Sequence, residues 1–197
     1  ASANCFLFEG ATPVFADVDP RTWNLDPAAV EAAITERTKG IVAVDMFGYP
    51  CELEALMDIS QRHGVALIED SAEALGAEYK GRPIGSHGPP SVFGFYPNKQ
   101  VATGEGGVVV THDEETWKLV RSLRNQGRSY EGGGWFNHVR LGFNYRWTDV
   151  QAAIGSDYEV STGAELMDDA AAQFATAMGF VNTFLLVFAF IALFVGT

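Results

Sequence analysis

GIVAVDMFG (residues 40–48), ELEALMDISQRHG (52–64) and VALIEDSAEALG (65–76) follow one another with only Tyr49, Pro50 and Cys51 between the first two. The first and third open with apolar runs of strand length. The second is a helix-length stretch that stops at Gly64, the residue that most easily takes a left-handed helix end. A buried strand, a helix and a second buried strand make a unit whose two strands run parallel. The alternation continues outward on both sides. Upstream, LDPAAVEAAIT (25–35) reads as a helix, with Asp26 as its cap and Pro27 at the first helical position, where a missing N–H costs nothing. Ala28, Val30, Ala33 and Ile34 form its apolar stripe. Before it, TPVFADVDP (12–20) reads as a short strand entering an Asp-Pro turn. Downstream, SVFGFYPNK (91–99) is a strand passing into a loop, GGVVVTHD (106–113) a strand, and DEETWKLVRSLRNQG (113–127) a helix. The fold class is α/β with a mostly parallel sheet. In such sheets ligands bind outside the carboxyl ends of the strands, and Asp70 and Lys99 both stand just past apolar strand-like runs.

Composition narrows the partners. The 197 residues carry a formal net charge of -12, which argues against nucleic acid, whose backbone requires a basic face. It gives no support to binding an anionic membrane surface. Cys5 and Cys51 are too few for a disulfide scaffold or a multi-thiolate metal site, and read as reduced thiols of a cytosolic protein. ASANCFLFEG has no basic segment before its apolar run, so it is no signal peptide and reads as a chain entered partway through.

Four places carry candidate chemistry. Asp70 could be a metal ligand, a general base, a charge partner for a cofactor nitrogen, or a cap on the residues that follow. Glu73 lies one turn on, but His63, His87, His112 and His138 are too scattered to complete a metal site with the pair. Lys99 sits in YPNKQVATGEGG (96–107), between an aromatic strand and a Gly-rich loop. Its amine becomes a nucleophile able to form a Schiff base only where burial or positive neighbours favour the neutral form; otherwise it is a solvated loop lysine. GEGG could cradle an anion or simply allow a tight turn, and the chain has neither a Walker loop nor a G-x-G-x-x-G fingerprint opening a helix. Asn144 and Arg146, in GFNYRWTDVQAAIG (142–155), could meet an anion or belong to a loop that packs its aromatics. Thr148 and Gln151 have the spacing of a capping box.

These segments, taken in order with LRNQG (123–127), resemble the DegT/DnrJ/EryC1/StrS family of sugar aminotransferases over about residues 1–155. The resemblance implies the large domain of a type I pyridoxal-phosphate-dependent transferase, in part. It implies that Lys99 holds pyridoxal 5'-phosphate through a Schiff base and shuttles a proton, while Asp70 pairs with the pyridine nitrogen. By the same resemblance Glu73 lies against the cofactor ring. Asn144 reaches the cofactor phosphate of a neighbouring subunit, which implies a homodimer, and Arg146 lies near the anionic donor or substrate. The implied reaction moves an amino group from glutamate to a nucleotide-linked keto sugar in the cytoplasm. The family usually has Ser five positions before the lysine, where this chain has Gly94. A lost hydrogen bond to a charged group costs about 1.5–3 kcal/mol, so weaker cofactor retention is expected. A phosphate loop and a ring-stacking aromatic before residue 1, and a small domain after the core, are parts of the family pattern not met in these residues, so slow or no turnover is expected.

Residues 156–197 read differently. No residue from Ala170 to Thr197 is charged, and GFVNTFLLVFAFIALFVGT (179–197) has Asn182 as its one strongly polar side chain. That length is close to the ~20 residues of a membrane-spanning helix; a buried hydrophobic C-terminal helix is the alternative. The stretch resembles the junction between the extracytoplasmic domain and a membrane helix in FtsX-like or MacB-like ABC transporter permeases. The expected division is an aminotransferase core (1–155) and an unrelated tail (156–197) with membrane contact, joined by a fused or misassembled reading frame. The competing expectation is a non-catalytic, membrane-attached fragment.

Overall fold

The computed structural model describes residues 2–129, 136–149 and 151. Its central sheet has four strands in the order β1 (Gly40–Val44), β2 (Ala66–Asp70), β5 (Ser91–Gly94) and β6 (Gly107–Val110). β1, β2 and β5 run parallel, and β6 closes the edge antiparallel to β5. The sheet is thus mostly parallel, as the alternation predicts. The reversal at β6 follows from its connection: the twelve residues between the two strands, 95–106, hold a loop and no crossover helix, the connection that joins antiparallel neighbours.

Helices α2 (Pro27–Ala33) and α3 (Leu53–His63) cover one face. Asp26 caps α2 by accepting the Ala28 N–H at 2.9 Å. α3 ends where Gly64 turns left-handed at φ +63. The core between them and the sheet joins Val30, Ile41, Ala43, Leu53, Leu56, Ile59 and Leu67. Each of the Val, Ile and Leu side chains among them contributes about 1.5–3 kcal/mol through burial. The opposite face is apolar but open, with Ile68, Val92 and Val109 each more than a third exposed. α4 (Glu114–Leu123) begins at Asp113, whose carboxylate accepts the Thr116 N–H at 2.7 Å. Two elements escape the sequence reading: the short α1 (Asn4–Phe8), and a hairpin of β3 (Glu78–Tyr79) and β4 (Arg82–Pro83). Lys80 and Gly81 both have positive φ at the tip of that hairpin, as a tight two-residue turn requires.

The strand expected over 12–20 does not form. A strand needs a neighbour to complete its ladder, and this segment instead folds on itself. Val18 bridges Leu25, and Asp26 N–H donates to Asp17 O at 3.1 Å. Val14 and Phe15 remain exposed. Residues 156–197, with the expected hydrophobic helix 179–197, lie outside the described residues; among the described residues no helix is long and apolar enough to cross a membrane.

Several polar groups are buried beneath the carboxyl end of the sheet. Asp45 accepts the Cys51 N–H at 2.9 Å through one oxygen and the Ser71 hydroxyl at 2.7 Å through the other. Glu69 accepts the Ser91 hydroxyl at 3.1 Å, and its second oxygen has no hydrogen-bond partner among the described residues. Burial, with the nearby Asp45 charge, pushes the Glu69 carboxyl up from 4.5 to about 7. The folded protein therefore keeps a proton that the unfolded chain releases. That contribution is complete below the unfolded value and fades as pH rises through the folded one. Unfolding free energy from urea titrations should fall between about pH 4.5 and about pH 7, and Glu69→Gln should flatten this slope; an unchanged slope in the variant would assign it to other groups.

Candidate active site

Because β1, β2 and β5 are parallel, the loops that leave them emerge along one edge. The loop after β1 is a single 3-10 turn, Met46–Gly48. Asn24, buried, clamps both of its ends: its amide donates to Tyr49 O at 2.7 Å and its carbonyl accepts the Met46 N–H at 2.9 Å. Phe47 is held left-handed at φ +55, with the residue 80% exposed. Gly48 packs directly against the Glu73 backbone, where an added Cβ would lie 2.7 Å from Glu73 O.

β2 delivers Asp70, whose Oδ1 accepts the Ala72 N–H at 3.3 Å and whose Oδ2 accepts the Ser2 hydroxyl at 2.5 Å. The chain then turns through residues 71–76 without forming a helix, so Asp70 caps a turn and not a helix. The turn presents Glu73. β5 leads through Phe95 to a turn closed by Lys99 N–H on Tyr96 O at 2.9 Å. Lys99 Nζ then donates to Glu73 Oε1 at 3.0 Å, with the lysine side chain 16% exposed. Glu73 Oε2 accepts the Phe47 N–H at 3.0 Å. The Gln100 amide donates to the Glu73 carbonyl. The hydrogen bonds from Lys99 and Phe47 hold the Glu73 carboxyl below the usual carboxylate range. One carboxylate thus ties together the loops of all three parallel strands.

GEGG acts as a turn. Gly104 and Gly106 both have positive φ, and Trp147 fills the space beside Gly106 while packing on Phe95 at 5.1 Å between ring centres. Gln151 donates to Glu105 O at 2.6 Å, so a side chain from outside the loop holds one of its carbonyls. Thr148 and Gln151 do form the reciprocal capping bonds, at 3.2 and 2.9 Å.

The structure brings Asp70, Glu73 and Lys99 to one edge. Asn144 and Arg146 lie on a segment bonded instead to the end of α4: Gln126 N–H donates to Phe143 O at 2.7 Å, and Arg146 donates to Asn125 Oδ1 at 2.6 Å. Asn144 is exposed. Sequence reasoning missed Ser2, Asn24 and Phe47. Ser2 and Asn24 meet partners 68 and 22 to 25 residues away, and Phe47 bonds through its backbone, so no local pattern could have marked them. Among the described residues no cluster of His, Cys, Asp and Glu could hold a metal ion.

The model of the DegT/DnrJ/EryC1/StrS aminotransferase family matches residues 1–158. The GDP-perosamine synthase of Caulobacter vibrioides is 48% identical over 155 residues, covering 79% of this chain and 41% of that protein. The aminotransferase from Psychrobacter cryohalolentis superposes with a TM-score of 0.73 at 40% identity, over 77% of this chain and 41% of that one. NtdA from Bacillus subtilis, solved with its bound cofactor PMP, superposes with a TM-score of 0.70 at 28% identity, over 77% of this chain and 34% of that one. The chain spans about two fifths of the length of the first two.

Removing the bridging carboxylate should loosen the loop it pins while sparing the core. Glu73→Ala is expected to speed amide hydrogen exchange at Phe47 by about tenfold, the loss of one charge-assisted hydrogen bond, and to leave the exchange of Ile41 and Leu67 unchanged. Equal acceleration at all three would mean that Glu73 supports the whole sheet.

Proposed function

The chain belongs to the DegT/DnrJ/EryC1/StrS aminotransferase family, and we propose that it is the part of such an enzyme that grips pyridoxal 5'-phosphate through Lys99. The observation that carries this is the half-sheltered Lys99 amine, held against Glu73 at the carboxyl edge of parallel strands whose central member ends in Asp70. The donor set suits the group: a primary amine for its carbonyl, a carboxylate for its ring nitrogen, and an open edge flanked by the exposed Phe47 and Tyr96 rings. Pyridoxal phosphate supplies an electron sink for the pair left behind when a carbon–hydrogen bond of the substrate breaks.

The chain's own residues do the rest. Lys99 Nζ would hold the cofactor and would serve as the base that takes up and returns a proton. Asp70 keeps the ring nitrogen charged. Glu73 would orient Lys99 and hold the Phe47 loop in place. The proposed reaction transfers an amino group from glutamate to a nucleotide-linked keto sugar, in the cytoplasm. Asn144, exposed on its segment, is proposed to reach a cofactor phosphate in a second copy, and Arg146 to meet the anionic donor or substrate. The proposed division sets the core at 1–155, close to where the family model ends, and leaves 156–197 as a separate tail, permease-like and in contact with a membrane.

Gly94 bears on retention of the cofactor. An added Cβ there would lie 3.3 Å from Ala72 Cβ, so a serine fits only if Ala72 gives by a few tenths of an ångström.

Two measurements test the reading. Borohydride reduction after incubation with pyridoxal phosphate should label the peptide holding Lys99, and Lys99→Arg should abolish that label; label spread over surface lysines would overturn the assignment. Gly94→Ser should slow cofactor loss on dialysis by about tenfold through a new hydrogen bond to phosphate. Faster loss would show that crowding against Ala72 outweighs the bond.

A further inference from the structure

Ser2 makes the one tertiary hydrogen bond described for residues 2–12. Its hydroxyl lies 2.5 Å from Asp70 Oδ2, across 68 residues of chain. The other hydrogen bonds described for that segment are local: Cys5 Sγ to Ser2 O, Gly10 N–H to Leu7 O and Ala11 N–H to Phe6 O. The hydroxyl does not cap α1, whose N-cap residue is Ala3 and whose start has no side-chain cap bond. Its chemistry is therefore spent on Asp70. Direction is fixed too, since an ionised carboxylate can only accept.

Asp70 has few other restraints. Its backbone is fixed by pairing to Val44 and Val92 on either side. Its carboxylate, however, can rotate about the bond to Cβ, and the Ala72 N–H alone, at 3.3 Å on Oδ1, is a long contact that does not set that angle. A short bond from Ser2 on the other oxygen does. A carboxylate has about four acceptor sites, so two engaged here leave a lone pair on each oxygen for a further donor.

The geometry points to Ser2 as a positioning residue for Asp70: its hydroxyl fixes the plane of the carboxylate, so that a protonated ring nitrogen would meet an oriented acceptor. This rests on the reading of Lys99 and Asp70 as the cofactor grip. Ser2 itself touches neither cofactor nor substrate. Removing a hydroxyl from a charged partner weakens whatever that partner holds. For one bond of this class the effect is about tenfold in retention.

The test uses the protein loaded with pyridoxal phosphate, as wild type, Ser2→Ala and Ser2→Thr. Three readings are taken from each: borohydride labelling of Lys99, the half-time of cofactor loss on dialysis, and the pH titration of the bound-cofactor absorbance band. Wild type should be labelled at Lys99. Ser2→Ala should keep the label, lose cofactor about tenfold faster and shift the titration midpoint by about one pH unit. Ser2→Thr should restore both. A wild type without label at Lys99 overturns the underlying reading, and this inference with it. A labelled Ser2→Ala protein with wild-type retention and titration overturns the inference alone. So does a threonine variant that fails to rescue, since the residue would then act through packing and not through its hydroxyl.

Discussion

Parallel pairing of β1, β2 and β5 is the constraint on which the site depends. The register sets Val44 beside Asp70 and Asp70 beside Val92, so the three strands deliver their following residues to a single edge. No side-chain interaction could achieve this in a chain where Phe47, Glu73 and Lys99 are each 26 residues from the next. The ladder is itself secured by α3 and α2, whose apolar side chains fill one face. Helix packing therefore acts on the site indirectly, by fixing strand order.

A second layer of control is polar and buried. Asn24, Asp45 and Ser71 lie under the loops and hold them through bonds of 2.7 to 2.9 Å. Burying a carboxylate such as Asp45 opposes its charged form, and desolvation raises its pKa against the hydrogen bonds that lower it. Leaving its donors without an acceptor would cost about 1–3 kcal/mol each. Glu73 stands at the surface of this layer, partly exposed, where it can bond Lys99 and still exchange that partner for another.

Much of the arrangement was legible beforehand, for identifiable reasons. α2 and α3 carry their own signals: Pro27 behind Asp26, and Gly64 at a left-handed end. The apolar runs of β1, β2 and β5 are short and bounded, as buried strands are. Asp70, Glu73 and Lys99 were named from position and family wording, and the fold does gather them. The strand proposed for 12–20 failed because alternation shows only that a segment can be extended, and says nothing of whether a neighbour is present to pair with it. The wording of GEGG leaves an anion cradle and a tight turn both open, and what packs on that loop was not legible, because Trp147 and Gln151 come from forty and more residues on.

What the sequence determined alone is local: where helices start and stop, which runs are buried, and which residue types are available for imine and carboxylate chemistry. These follow from backbone preferences and hydrophobic periodicity, which act over a few residues. The tertiary structure decided the rest. It turned β6 antiparallel, bent the segment before α2 back on itself, set Glu73 between Lys99 and Phe47, and brought Ser2 onto Asp70. Each of these is a contact between parts of the chain remote in sequence. Such contacts are fixed only when strand order and helix packing have closed the loops between them, and no local pattern encodes that closure.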